Sequence, residues 1–133
     1  MAVTCYALFN YERTMLMARF VDGTVNVNTL LGGTDAGTYS RFKSRIIMTM
    51  NGASGFYSEW HLEIQRYHKG KWRDAYWGCR GWTTYYSGSV RSLNARLLLK
   101  GRYRFRCKVW SRDSYGKGWD YIGYNYTDSF YVV

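Results

Sequence analysis

The sequence predicts an all-β domain, an antiparallel sandwich or barrel, and three observations carry that prediction. From Arg102 to Trp110 the residues alternate: Tyr103, Phe105, Cys107 and Val109 fall on one side, Arg102, Arg104, Arg106 and Lys108 on the other. A strand separates these two sets onto opposite faces, whereas a helix would scatter them around its axis. Other short runs of apolar and β-branched residues recur at regular spacing between Gly, Asn and Asp turns. No segment carries a helical period. At 133 residues the chain is the size of one domain, so 1–133 is read as a single unit. Its 14 Tyr, 6 Trp and 6 Phe exclude intrinsic disorder, which goes with aromatic-poor composition.

The elements follow in chain order. Asp22-Gly23 lies between Thr14–Val21 and Thr24–Leu31 and suits a two-residue hairpin turn, because both positions of that turn need φ > 0. An N-terminal β-hairpin is therefore expected, followed by a loop at Gly32, Gly33, Asp35 and Gly37, the whole occupying residues 1–40. Ile46, Met48 and Met50 alternate with Ile47 and Thr49 as a strand, broken by 51–55. Trp60, Leu62 and Ile64 alternate with His61, Glu63 and Gln65, a half-buried strand. His68-Lys69-Gly70-Lys71 turns the chain and Trp72 to Trp77 returns it. A looser stretch is expected from Gly78 to Gly88, a strand across Val90 to Leu97, and a loop from Asp113 to Asp120. Tyr121 to Val133 reads as one last strand.

Leu97, then Gly101, then Tyr103 at the head of an alternating strand resembles the tyrosine corner of immunoglobulin-like and fibronectin type III-like domains. Leu62-Glu63-Ile64-Gln65 with its Lys-Gly turn, Trp72 and Trp77 is similar to small β-sandwich domains of secreted Gram-positive bacterial proteins. So is Gly101-Arg102-Tyr103-Arg104-Phe105 with its closing Tyr-rich strand. The resemblance covers residues 45–133 and implies an immunoglobulin-like or fibronectin type III-like antiparallel β-sandwich as the core. It implies that Tyr103 bonds back to the preceding connection. It also implies adhesion, ligand binding or a spacer role, without catalysis. The chain departs from the pattern in having no Cys on Ile46 to Met50, and its first 40 residues have no counterpart there.

Charge is unevenly distributed. Residues 1–40 hold two bases and three acids, 41–112 hold 16 bases and three acids, and 113–133 hold one base and three acids. A segment at +13 attracts polyanions such as nucleic acid, teichoic acid or an anionic membrane surface, and equally serves as a solvated basic face. The longest apolar run, Leu97-Leu98-Leu99, is far short of the roughly 20 residues of a span, so no membrane insertion is expected. Met1 to Asn10 lacks the basic start and apolar core of a secretory signal. An extracellular or virion-associated setting is expected, on a bacterial surface or in a bacteriophage particle.

Catalytic and metal chemistry are not expected. His61 falls on the outward side of its strand, His68 falls in a turn, and Cys5, Cys79 and Cys107 have no metal-ligand spacing. No cofactor motif is present: Gly32-Gly33 lacks the lysine of a phosphate loop. Two constellations remain as binding candidates. The first is the Arg102, Arg104, Arg106, Lys108 stripe, whose side chains stand about 6.6–6.8 Å apart and could track a phosphate backbone or pair with Glu59, Glu63 and Asp74. The second is a set of rings in and beside the expected loops: Trp77 at the end of its strand, with Trp82, Tyr85, Tyr86, Tyr115 and Trp119. Exposed Tyr and Trp among small polar residues resemble a binding surface. The expected function is non-enzymatic binding or assembly on a protein or cell-surface glycan partner, with oligomer formation left open. A carbohydrate-binding module and non-specific polyanion binding are the alternatives.

Overall fold

The computed structural model describes residues 3–4, 16–23, 30–52, 58–83, 88–112 and 119–133. Among these, the strands in chain order are β1 (Val3–Thr4), β2 (Phe20–Gly23), β3 (Leu30–Thr34), β4 (Thr38–Tyr39), β5 (Arg45–Gly52) and β6 (Ser58–His68). They continue as β7 (Lys71–Thr83), β8 (Gly88–Asn94), β9 (Gly101–Arg112), β10 (Trp119–Thr127) and β11 (Phe130–Val132). No α-helix occurs among the described residues. The protein is all-β.

Two sheets form. A four-stranded sheet has the order β1-β8-β5-β3, all antiparallel. A seven-stranded sheet is centred on β9, which pairs with β6 along one edge and with β10 and β11 along the other. Beyond β6 lies β7, beyond β10 lies β2, and beyond β11 lies β4 in parallel. Ile46, Met48 and Met50 of β5 join Trp60, Leu62 and Ile64 of β6 in one buried cluster with Tyr103, Phe105, Cys107 and Val109 of β9. The two sheets therefore share a single core. The alternation on β9 is fully expressed: all four of its apolar residues are at most 1 % exposed.

The β6–β7 turn forms where the sequence places it. Lys69 and Gly70 have φ of 51° and 78°, the positive pair that a two-residue hairpin turn requires. The Asp22-Gly23 turn does not form. Both residues lie in β2, opposite Tyr126 and Asn125 of β10. Gly23 does use a positive φ of 136°, but for close approach: a Cβ there would lie 1.9 Å from the Tyr124 carbonyl oxygen. The same property that permits a turn permits tight strand contact, and local sequence cannot separate the two uses. Residues 17–19 do meet 33–34 in antiparallel fashion, through the Met17 N–H to Thr34 O bond of 2.9 Å and the Arg19–Gly33 bridge. The expected two-residue hairpin is nonetheless replaced by strands in different sheets.

Three other boundaries move. Strand β7 runs on to Thr83, so 78–83 is strand and not loop, because β6 offers it partners up to Ser58–Thr83. Strand β8 stops at Asn94, whose side chain accepts from the Arg96 N–H at the start of a 3-10 turn, Ala95–Leu97. The final strand is two, β10 and β11, interrupted at Asp128–Ser129. Arg91 is a departure from pattern: it is 8 % exposed, with its guanidinium 5.0 Å over the Trp60 ring. A ring face offers a buried cation partial compensation for lost water.

The Tyr103 hydroxyl donates to the Leu99 carbonyl at 2.6 Å. This bond ties the 95–100 connection to the first turn of alternation in β9.

Two substitutions test this packing. Phe105, fully buried and stacked on Phe130 with centroids 5.3 Å apart, is expected to cost roughly 3–5 kcal/mol on change to Ala, read by urea denaturation. A loss below about 1 kcal/mol would contradict its central place. Tyr103→Phe removes only the hydroxyl and is expected to cost roughly 0.5–1.5 kcal/mol in the same assay, against no change if the bond to Leu99 is idle.

Candidate functional site

The outward face of the seven-stranded sheet gathers the charged half of β9. Register sets its neighbours. Across β6, Arg102 stands opposite Tyr67, Arg104 opposite Gln65, Arg106 opposite Glu63 and Lys108 opposite His61. Across β10, Arg106 stands opposite Tyr126 and Lys108 opposite Tyr124. Directly opposed residues share a face, so these side chains form one continuous field.

The field has two halves. At one end, Glu63 takes both Arg106 and Lys108. Arg106 Nε donates to Glu63 Oε2 at 2.9 Å, its Nη2 contacts the same oxygen, and Lys108 Nζ lies 3.4 Å from Glu63 Oε1. Asp74 of β7 adds a contact to Arg106 at 3.4 Å. Burial by itself would raise the Glu63 carboxyl. The Arg106 hydrogen bonds and charge, with Lys108 behind them, outweigh burial and hold it below its ordinary value. Glu59 pairs elsewhere, 3.7 Å from His61 Nε2, and the His61 ring packs on Trp110 with centroids 4.4 Å apart.

At the other end, rings replace carboxylates. The Arg104 guanidinium lies 3.8 Å from the Tyr126 ring centroid and 4.4 Å from that of Trp72, and its Nε donates to Gln65 Oε1 at 2.8 Å. Arg102, which is exposed, lies 5.1 Å from Tyr67 and 5.5 Å from Trp72, and donates to Ser129 Oγ at 2.8 Å. Tyr67 and Trp72 meet edge to face, as do Tyr124 and Tyr126. Each guanidinium–ring contact contributes about 0.5–1 kcal/mol at an exposed site and fixes the orientation of both groups.

Of the sequence-derived candidates, the structure brings together Arg102, Arg104, Arg106 and Lys108. Trp82 lies in β7 and Trp119 in β10, so the expectation that they sit in loops is corrected, while Trp77 lies in β7, the returning strand that the sequence predicts. Trp82 is opposite Glu59 and Trp119 opposite Arg112 in register, and the side chains of all three tryptophans lie outside the described set. Tyr85, Tyr86 and Tyr115 lie outside the described residues altogether. Among the described residues, the rings that meet the arginines of this row are Tyr67, Trp72 and Tyr126, none of them among the candidate site residues drawn from the sequence. A signal was present for Tyr67: it continues the outward series His61, Glu63, Gln65 by one step. Gln65 itself is outward yet only 5 % exposed, covered by this packing.

Cys107 is a buried thiol, in keeping with its place in the core. Among the described residues, no group of three or more His, Cys, Asp or Glu side chains could hold a metal ion, and no helix is long and apolar enough to cross a membrane. No protein-family model, curated protein or solved structure matches the chain.

The Glu63 linkage has a defined pH sense. A carboxyl lowered in the folded state contributes stability that is present above its unfolded value and lost as pH falls through the folded value. The loss from Glu63 is therefore expected below the ordinary value of 4.5. Urea midpoints measured on descending pH should fall less steeply for Glu63→Gln than for the parent chain, and parallel curves would show that the pairing carries no linkage.

Proposed function

We propose that the protein is a non-enzymatic binding or assembly module whose contact surface is the outward face of the seven-stranded sheet. The observation that carries this reading is the stacked series Trp72–Arg104–Tyr126 with Tyr67–Arg102 beside it. Trp, Tyr and Arg are the residues that dominate the energetics of protein interfaces, because they desolvate large areas. Here the arginines are held by rings before any partner arrives, so little side-chain freedom remains to be lost on binding. The other half of the field is already neutralised by Glu63 and Asp74. That arrangement favours a protein surface over a polyanion, for which uncompensated charge would serve better.

We also infer an immunoglobulin-like arrangement for the core. In that family strands A, B and E share one sheet, C, F and G share the other, and variable domains add C′. The neighbours β3-β5-β8 and the series β7-β6-β9-β11 support the same assignment. So does the Tyr103 bond to Leu99, in the position of the family's corner tyrosine.

Sedimentation velocity over a rising concentration series tests the assembly form of this reading. Defined multimers are expected, and Trp72→Ala or Arg104→Ala should shift their formation to concentrations about tenfold higher, equivalent to about 1.4 kcal/mol. Three results would replace the reading. A chain monomeric throughout that binds oligothymidylate with steep salt dependence is a polyanion binder. One that binds a glycan array without salt dependence, and loses it in Trp72→Ala, is a carbohydrate-binding module. One that assembles equally well after both substitutions uses another surface.

A further inference from the structure

One end of the molecule has a composition unlike the rest. Three connections meet there: 40–44 between β4 and β5, the β6–β7 turn, and 95–100 between β8 and β9. They are held together by direct bonds. Arg41 Nε donates to the Leu98 carbonyl at 2.7 Å, the Ala95 N–H donates to the Ser44 carbonyl at 3.0 Å, and Arg66 Nη2 donates to the Lys100 carbonyl at 3.0 Å. Residues 40–45, 66–73 and 94–101 together carry nine of the chain's 19 Lys and Arg and none of its nine acids.

The same end carries the three most exposed large apolar side chains among the described residues: Leu97 at 70 %, Phe42 at 69 % and Leu99 at 62 %. Leu98 between them is buried at 5 %, so the connection is anchored by its middle residue and presents its two neighbours outward. Beside it is a cleft of about 260 Å³ lined by Leu97, Leu98, Leu99, Arg66, His68 and Arg73. The one acid on its wall, Asp74, makes its ion contact with Arg106.

We propose that this end docks on an anionic lipid surface. Phe42, Leu97 and Leu99 sink below the headgroups, and the surrounding bases meet the lipid phosphates. Apolar tips ringed by cations match the two layers of such an interface, hydrocarbon below and negative charge above. A nucleic acid would satisfy the bases but leave the three apolar side chains without a counterpart. The run Leu97–Leu99 is far too short to span and is suited only to the interface. This surface adjoins the outward sheet face at Tyr67 and Trp72, but Phe42, Leu97 and Leu99 lie in other connections and have no part in that face, so substitutions there test this proposal apart from the first.

Flotation of the full chain with vesicles tests it. Binding is expected to phosphatidylcholine vesicles containing phosphatidylglycerol and not to phosphatidylcholine alone, and should weaken with added salt. The Leu97→Ser/Leu99→Ser variant should bind the anionic vesicles about tenfold more weakly, with an unchanged urea midpoint. Phe42→Ser, in a different connection, should show a loss of the same kind and serves if the double variant does not fold. The proposal is overturned if the parent chain does not float with anionic vesicles. It is also overturned if the serine variants float as well as the parent, since binding would then be charge attraction alone.

Discussion

Strand β9 is hydrogen-bonded along both edges, and that constraint governs the rest of the molecule. With partners on each side, none of its residues can turn away, so alternate side chains are committed to opposite faces. The inward set must be covered by apolar groups from both sheets, and is, by Trp60, Leu62, Ile64, Met48 and Phe130 among others. The outward set places four cations in one row at about 6.6–6.8 Å intervals. Like charges so arranged repel, and the neighbouring strands answer the repulsion in two ways. Glu63 and Asp74 supply charge at one end, while Trp72, Tyr67 and Tyr126 supply ring faces at the other.

The division has consequences for what each half can do. An arginine bound to a carboxylate has its charge spent internally and is structural. An arginine stacked on rings keeps its charge and a share of its N–H donors, and gains a fixed orientation. The proposed binding role therefore falls to the Trp72–Arg104–Tyr126 end, while the ion pairs of Glu63 link β6 to β9 across the sheet face. The pairing also depends on β7 wrapping outside β6, since Trp72 and Asp74 both come from that edge strand.

The rings divide along the same line. Tyr103, Phe105 and Phe130 stack inside, while Tyr39 meets Phe130 edge to face and hydrogen-bonds to Asp35. Burial first, and the bond to Asp35 second, push the Tyr39 hydroxyl far above its ordinary value, which favours the neutral form that donates to Asp35. A chain without proline and with 20 % aromatic residues thus uses rings both as core volume and as the partners of surface cations.

Read alone, the sequence determined the all-β class, both faces of β9, the inward series of β5 and β6, and the Lys69-Gly70 turn. These depend on periodicity and on two adjacent residues, information that is local. It did not determine what the Asp22-Gly23 pair does, because a positive φ at Gly23 serves a turn and a close strand approach alike, and only the arrival of β10 decides between them. Nor did it determine that β7 continues to Thr83, since that follows from the length of β6 beside it. The aromatic partners of the arginines were out of reach for the same reason. Trp72 lies 32 positions before Arg104 and Tyr126 lies 22 after it, and they meet only because β7, β6, β9 and β10 align in register. Alternation assigns a face to each residue, and tertiary pairing alone assigns its neighbours.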